Sequence, residues 1–179
     1  MINAIILAAS YALSGFFMKF SDDEFDEKNN RNLAIFLGII CGIFAAYATV
    51  TSMDAAYIFI GILVGNLLAM KVDGVHHIAT LLTFLIIVAI CGIPGINGFI
   101  LLACLLGAWI DELGNDNPKV YSKGKFFEYF FDYRFTMKVV ILLLALFGFL
   151  QLISFVYFIL FELSYELARY LFEKYVVSA

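Results

Sequence analysis

Long apolar runs, interrupted only where charge gathers, constrain this chain more than any other feature. Six can be drawn: Asn3 to Phe20, Leu33 to Thr51, Ala55 to Met70, Val75 to Ile93, Ile96 to Ile110, and one from Thr136 past Ile159. A helix needs about 20 residues, with a range of roughly 17–25, to cross a ~30 Å hydrocarbon core. Backbone N–H and C=O groups cannot stay unpaired in lipid, so runs of this kind are expected to be helical. Composition points the same way. Of 179 residues 64% are hydrophobic and 15% charged, whereas about a quarter are charged in a soluble domain. The expected fold is therefore all-α: a polytopic membrane bundle of about six spans, one integral domain over residues 1–179, with the lipid bilayer as its first partner.

The connections alternate in character. One side receives Ser21–Asn32, Lys71–Gly74 and Asp111–Phe135; the other receives Ser52–Asp54 and the Gly92-Ile93-Pro94-Gly95 turn. Nine of the eleven basic residues lie at or beside the first side, as do eleven of the fifteen acids. Basic loops stay in the cytoplasm, which makes the charged side cytoplasmic. The localisation expected is a multi-pass protein of the cell membrane. Six crossings then put both termini on the non-cytoplasmic side. No Lys or Arg precedes the first apolar run, so a cleavable signal is not expected. Nucleic acid is excluded as a partner, because the net charge is −4 and no basic stripe exists. Cys41, Cys91 and Cys104 sit in apolar runs without CxxC spacing and are expected to be small buried hydrophobes.

Gly38/Gly42 and Gly61/Gly65 are GxxxG pairs, which let helices approach closely. Packing within the chain accounts for them; a homo-oligomer through these helices is the alternative. Phe126–Phe135 is aromatic-rich, with Glu128 and Asp132 one turn apart, and suits an interfacial helix before the last span. Glu162, Glu166, Arg169 and Glu173 form one polar stripe on the final helix. The fifth run is short, so its helix is expected either to thin the bilayer or to continue through Asp111 and Glu112.

Three polar clusters follow the first, third and fifth runs. In the first, Asp22, Asp23 and Asp26 share a side if the helix continues. Grouped carboxylates repel unless a cation joins them, and hard oxygen ligands suit Mg²⁺, the cofactor expected here. The second contains Asn66, Lys71, Asp73, His76 and His77. Gly74 argues for a helix break, with Asp73 capping the next helix and the histidines in its first turn. No thiolate accompanies the histidines, so zinc is not expected there. The third is Asp111, Glu112 and Asp116, followed by Lys119 and Lys123. Carboxylates there would hold a metal, and the lysines a phosphate. Solvated acidic loops and ordinary cytoplasmic anchoring would carry the same residues.

Asp22-Asp23-x-x-Asp26-x-x-x-Asn30 resembles the first Asp-rich motif, NDxxDxxxD, of UbiA-type intramembrane prenyltransferases. Asp111 to Asp116 occupies a place similar to their second Asp-rich motif. The resemblance covers about two dozen residues. Asp22 stands where the family has Asn, Asn30 where it has Asp, and six spans stand where it has nine. It implies a Mg²⁺-bound diphosphate between the two motifs.

The leading functional expectation is a membrane enzyme acting on a phosphorylated lipid or isoprenoid. Asp22, Asp23, Asp26, Asp111, Glu112 and Asp116 would hold Mg²⁺. Lys71, Lys119, Lys123 and Asn66 would bind substrate, and Asp73, His76 and His77 would supply acid–base chemistry. A divalent cation transporter or channel is one alternative, although the runs are nearly devoid of polar residues for a conduction path. A non-catalytic subunit of a membrane complex, docking through its last helix, is the other.

Overall fold

Where the chain was expected to form one last span, it forms two helices. The structure, a computed structural model, describes residues 2–115 and 117–177. Among these it is all-helical: α1 Ile2–Asp26, α2 Arg31–Thr51, α3 Met53–Leu68, α4 Val75–Cys91, α5 Gly98–Gly114, α6 Pro118–Tyr121, α7 Lys125–Asp132, α8 Phe135–Leu146 and α9 Leu152–Phe172, with a π-helical turn over Glu173–Val177. Two helices, Asn3–Asp26 and Arg31–Thr51, are long and apolar enough to cross a membrane by length and composition; Met53–Leu68, Val75–Cys91 and Phe135–Leu146 are shorter apolar helices. The helices group into two compact units. One contains Met1–Ser52, Asp73–Pro94 and Val156–Ala179, the other Met53–Val72 and Gly95–Phe155.

In the first unit α1 runs unbroken through its acidic end. It stops where Asn29 takes a left-handed φ of 53°, a conformation Asn tolerates better than most residues. The Ser21 hydroxyl donates to the Ala34 carbonyl at 2.8 Å, and the Cys41 thiol to the Ser14 carbonyl at 3.3 Å, so α1 and α2 are antiparallel. A Cβ on Gly38 would stand 2.7 Å from the His76 carbonyl oxygen, and one on Gly42 2.8 Å from that of Thr80. This glycine face is therefore filled by α4. On its other side α1 meets α9. Tyr11 packs on Tyr157, Gly15 on Phe161, and Lys19 over Tyr165. Each contact lies four residues further along both helices, so α1 and α9 run parallel on i, i+4 faces. The two ends of the described chain consequently lie at opposite ends of this unit, where six crossings would put them at one face.

In the second unit a Cβ on Gly61 would sit 2.8 Å from the Cys104 Cβ, and one on Gly65 2.8 Å from the Ala108 Cβ. Both glycine pairs are thus taken up by packing within the chain. α5 continues through Asp111 and Glu112 to Gly114, the second of the two expectations for the short fifth run. The run from Thr136 breaks at Gly148, whose φ is +77°. The Gly148 N–H donates to Ala145 O at 3.1 Å and the Phe149 N–H to Leu144 O at 2.9 Å. This pair of bonds is a Schellman cap, so α8 ends and the chain turns. α8, at 12 residues, is about 18 Å long, and α9, at 21 residues, about 31 Å. The short helix expected before the last span forms as α7, with Phe126 and Tyr129 exposed. Cys41 and Cys104 are buried, whereas Cys91 is exposed.

The closest helix approach gives a direct test. A Cβ at Gly15 would stand 2.2 Å from the Phe161 carbonyl oxygen, while one at Gly95 meets nothing within 4 Å. Backbone cannot yield as a side-chain tip can. Gly15→Ala is expected to destabilise by about 3 kcal/mol and Gly95→Ala by less than about 0.5 kcal/mol, read from thermal unfolding of the purified variants.

Candidate metal centre

A buried carboxylate must be met by donors or by a cation, and most of those here have such partners. Asp54, near the start of α3, accepts from the Gln151 N–H at 2.8 Å and the Ser154 hydroxyl at 2.7 Å, closing the start of α9. Asp111, 1% exposed, accepts from the Thr136 N–H at 2.9 Å and the Met137 N–H at 2.7 Å, closing the start of α8. Glu112 pairs with Arg134 at 3.1 Å. Asp23 pairs with Lys19, one turn earlier on α1, at 2.7 Å.

Asp22 is different. Its Oδ1 lies 3.2 Å from His76 Nε2 and 3.6 Å from His77 Nδ1. One donor atom from each of the three residues falls within 4.8 Å of the others. The group joins the end of α1 to the first turn of α4, 54 residues away. The His76 side chain is 3% exposed; those of His77 and Asp22 are 28% and 22% exposed. His76 is therefore buried, while His77 and Asp22 are partly exposed. With Asp22 ionised, its contact to His76 requires a proton on Nε2. Nδ1 of His76 is buried without a hydrogen-bond partner, so Nε2 makes the ring's polar contact.

Two neighbours hold the His76 ring. The Phe25 ring packs on it, with centroids 4.4 Å apart. Gly74 leaves the space it occupies, because a Cβ there would lie 2.3 Å from His76 Cε1. The sequence marks Gly74 as a helix breaker and not as room for a ring, and it marks Phe25 only by its place three residues after Asp22 on a continuous helix.

The remaining site candidates are placed as follows. Asp22, Asp23 and Asp26 do not converge. Asp22 faces α4, Asp23 faces Lys19, and Asp26 is exposed. Asp73 does not cap α4. Gly74 is its N-cap, in extended conformation and without a side-chain bond, and Asp73 is exposed before it. His76 and His77 do enter the first turn. In the second unit Asn66 is half-buried near the end of α3, which stops at Leu68 before a left-handed Met70, and Lys71 follows it. Lys119 and Lys123 are exposed on the connection between α5 and α7. Asp116 lies outside the described residues.

No protein-family model matches the chain, and no curated protein or solved structure is significantly similar to it.

The capping role of Asp111 is testable by stability alone. Asp111→Ala leaves two buried backbone donors without an acceptor and is expected to cost about 2–3 kcal/mol. Asp26→Ala, at an exposed position, should stay within about 0.5 kcal/mol. Equal losses in denaturant unfolding of the two metal-free variants would contradict the assignment of Asp111 to the α8 cap.

Proposed function

We propose that this chain is a multi-pass membrane protein of seven crossings whose cytoplasmic end holds a divalent cation on Asp22, His76 and His77, and that it acts there on the head group of a phosphorylated lipid or isoprenoid. The observation that carries this reading is the meeting of one carboxylate with two imidazoles where the end of α1 meets the start of α4.

The membrane part draws support from what the helices leave exposed. Along α4, Ile78, Leu82, Leu85, Ile86 and Ile90 are all exposed. A contiguous apolar face of that length is costly in water, at about 25 cal/mol per Å², and is the normal exterior of a helix in lipid. The reversal at Gly148 supports seven crossings. Six leave Arg169 and Lys174 on the non-cytoplasmic side, away from the other nine basic residues. A seventh carries both to the cytoplasmic side together with Glu166 and Glu173, and leaves Glu162 midway along α9. The remaining acid, Asp54, is engaged by the α9 cap. In this topology the N-terminus is non-cytoplasmic and the C-terminus cytoplasmic.

The chemical part follows from coordination. Three protein ligands leave positions on a divalent ion for water and a phosphate oxygen. A cation held by Asp22, His76 and His77 would offset negative charge developing on a phosphate leaving group. An acyl or prenyl tail is suited to the apolar helix faces.

The test is turnover. The purified protein, reconstituted in liposomes carrying prenyl and dialkylglycerol phosphates and diphosphates, should convert one of them, and chelation should abolish the reaction. Asp22→Asn is expected to lower kcat by about 100-fold or more. If metal-loaded wild type leaves all of these lipids intact while divalent ions cross the bilayer, the protein is a transporter and the enzyme reading fails.

A further inference from the structure

The cation site, on which this inference rests, also carries information about which ion it takes. We infer that Asp22, His76 and His77 form a transition-metal site of the zinc and cobalt class, and not a magnesium site.

The donor set comes first. Two imidazole nitrogens and one carboxylate oxygen are borderline ligands, matched to Zn²⁺, Co²⁺ and their neighbours, whereas Mg²⁺ selects hard oxygens. Asp22 faces the two imidazoles, and Asp23 beside it on α1 is paired with Lys19. Spacing comes second. Ligands about 2.0–2.1 Å from a tetrahedral ion lie about 3.3–3.4 Å apart. The separations from Asp22 Oδ1, 3.2 Å to His76 Nε2 and 3.6 Å to His77 Nδ1, bracket that edge. Adjacent ligands of an octahedral Mg²⁺ at the same bond length lie about 2.9 Å apart. Preorganisation comes third. Phe25 and Gly74 fix the buried His76 ring, and the His77 ring stands beside it with centroids 4.0 Å apart.

The experiment uses the full-length chain in detergent, stripped of metal. Co²⁺ is titrated and followed by its visible ligand-field bands; Zn²⁺ and Mg²⁺ are then tested as competitors. One equivalent of Co²⁺ should give intense four- or five-coordinate bands. Zn²⁺ should displace it, and Mg²⁺ in about 1,000-fold excess should not. Asp22→Asn and His77→Ala should each weaken Co²⁺ binding at least about ten-fold, with Glu128→Gln unchanged. His77→Asn keeps the side chain nearly the same size and should show the same loss if His77→Ala fails to fold. Competition by Mg²⁺ at parity, or unaltered Co²⁺ bands in both His77 variants, would overturn the inference. The two readings fail separately. Mg²⁺-dependent lipid turnover by a protein that ignores Co²⁺ removes the transition-metal site and keeps the enzyme. Tight Co²⁺ binding without lipid turnover removes the enzyme and keeps the site.

Discussion

A helix that starts within apolar surroundings must find acceptors for its first N–H groups without water, and two aspartates supply them here. Asp111 closes the start of α8 and Asp54 closes the start of α9. Between these caps the helix breaks at Gly148. Without either carboxylate, donors at a helix start lose their acceptor. α9 runs parallel to α1, on contacts that repeat every four residues from Tyr11 to Lys19. α1 is thereby packed between α2 and α9.

The same use of carboxylates isolates the candidate centre. Four buried acids at the helix ends are held by backbone N–H groups, a serine, an arginine or a lysine. Asp22 instead faces imidazoles. Neighbouring aspartates on one helix point about 100° apart, so Asp22 reaches α4 while Asp23 cannot. An acidic cluster in sequence thus becomes one ligand and one structural ion pair. A site made of one carboxylate and two histidines has a different chemistry from one made of three carboxylates, and the choice of ion follows from it.

Much of this architecture was legible in the sequence, for reasons that can be named. Apolar runs located α2 to α5 within about four residues and the start of α1, whose helix continues past Phe20 to Asp26. Glycine spacing marked the close-packing faces of α2 and α3, because only Gly admits such an approach, but neither their partners α4 and α5 nor the approach at Gly15. The continuation of α5 through Asp111 and Glu112 was one of two readings of a run too short to span. Less was legible of the site. A single Gly in an apolar run is tolerated in many helices, so Gly148 gave no warning of a reversal. Asp73 has a good capping side chain, yet the chain turns one residue later, where Gly74 also makes room for the His76 ring. No cysteine flagged the histidines as ligands, and the anionic partner came from 54 residues away, a distance that local spacing does not reach.

The claim on which the rest turns is the extra reversal, and sidedness measures it most directly. In a chain with Cys41, Cys91 and Cys104 replaced by Ala, single cysteines are placed as Asn3→Cys, Lys123→Cys and Glu173→Cys and labelled with an impermeant maleimide in right-side-out and inverted vesicles. Seven crossings predict that positions 123 and 173 label from the cytoplasmic side and position 3 from the other. Labelling of position 173 together with position 3, opposite position 123, would contradict the reversal and the topology built on it.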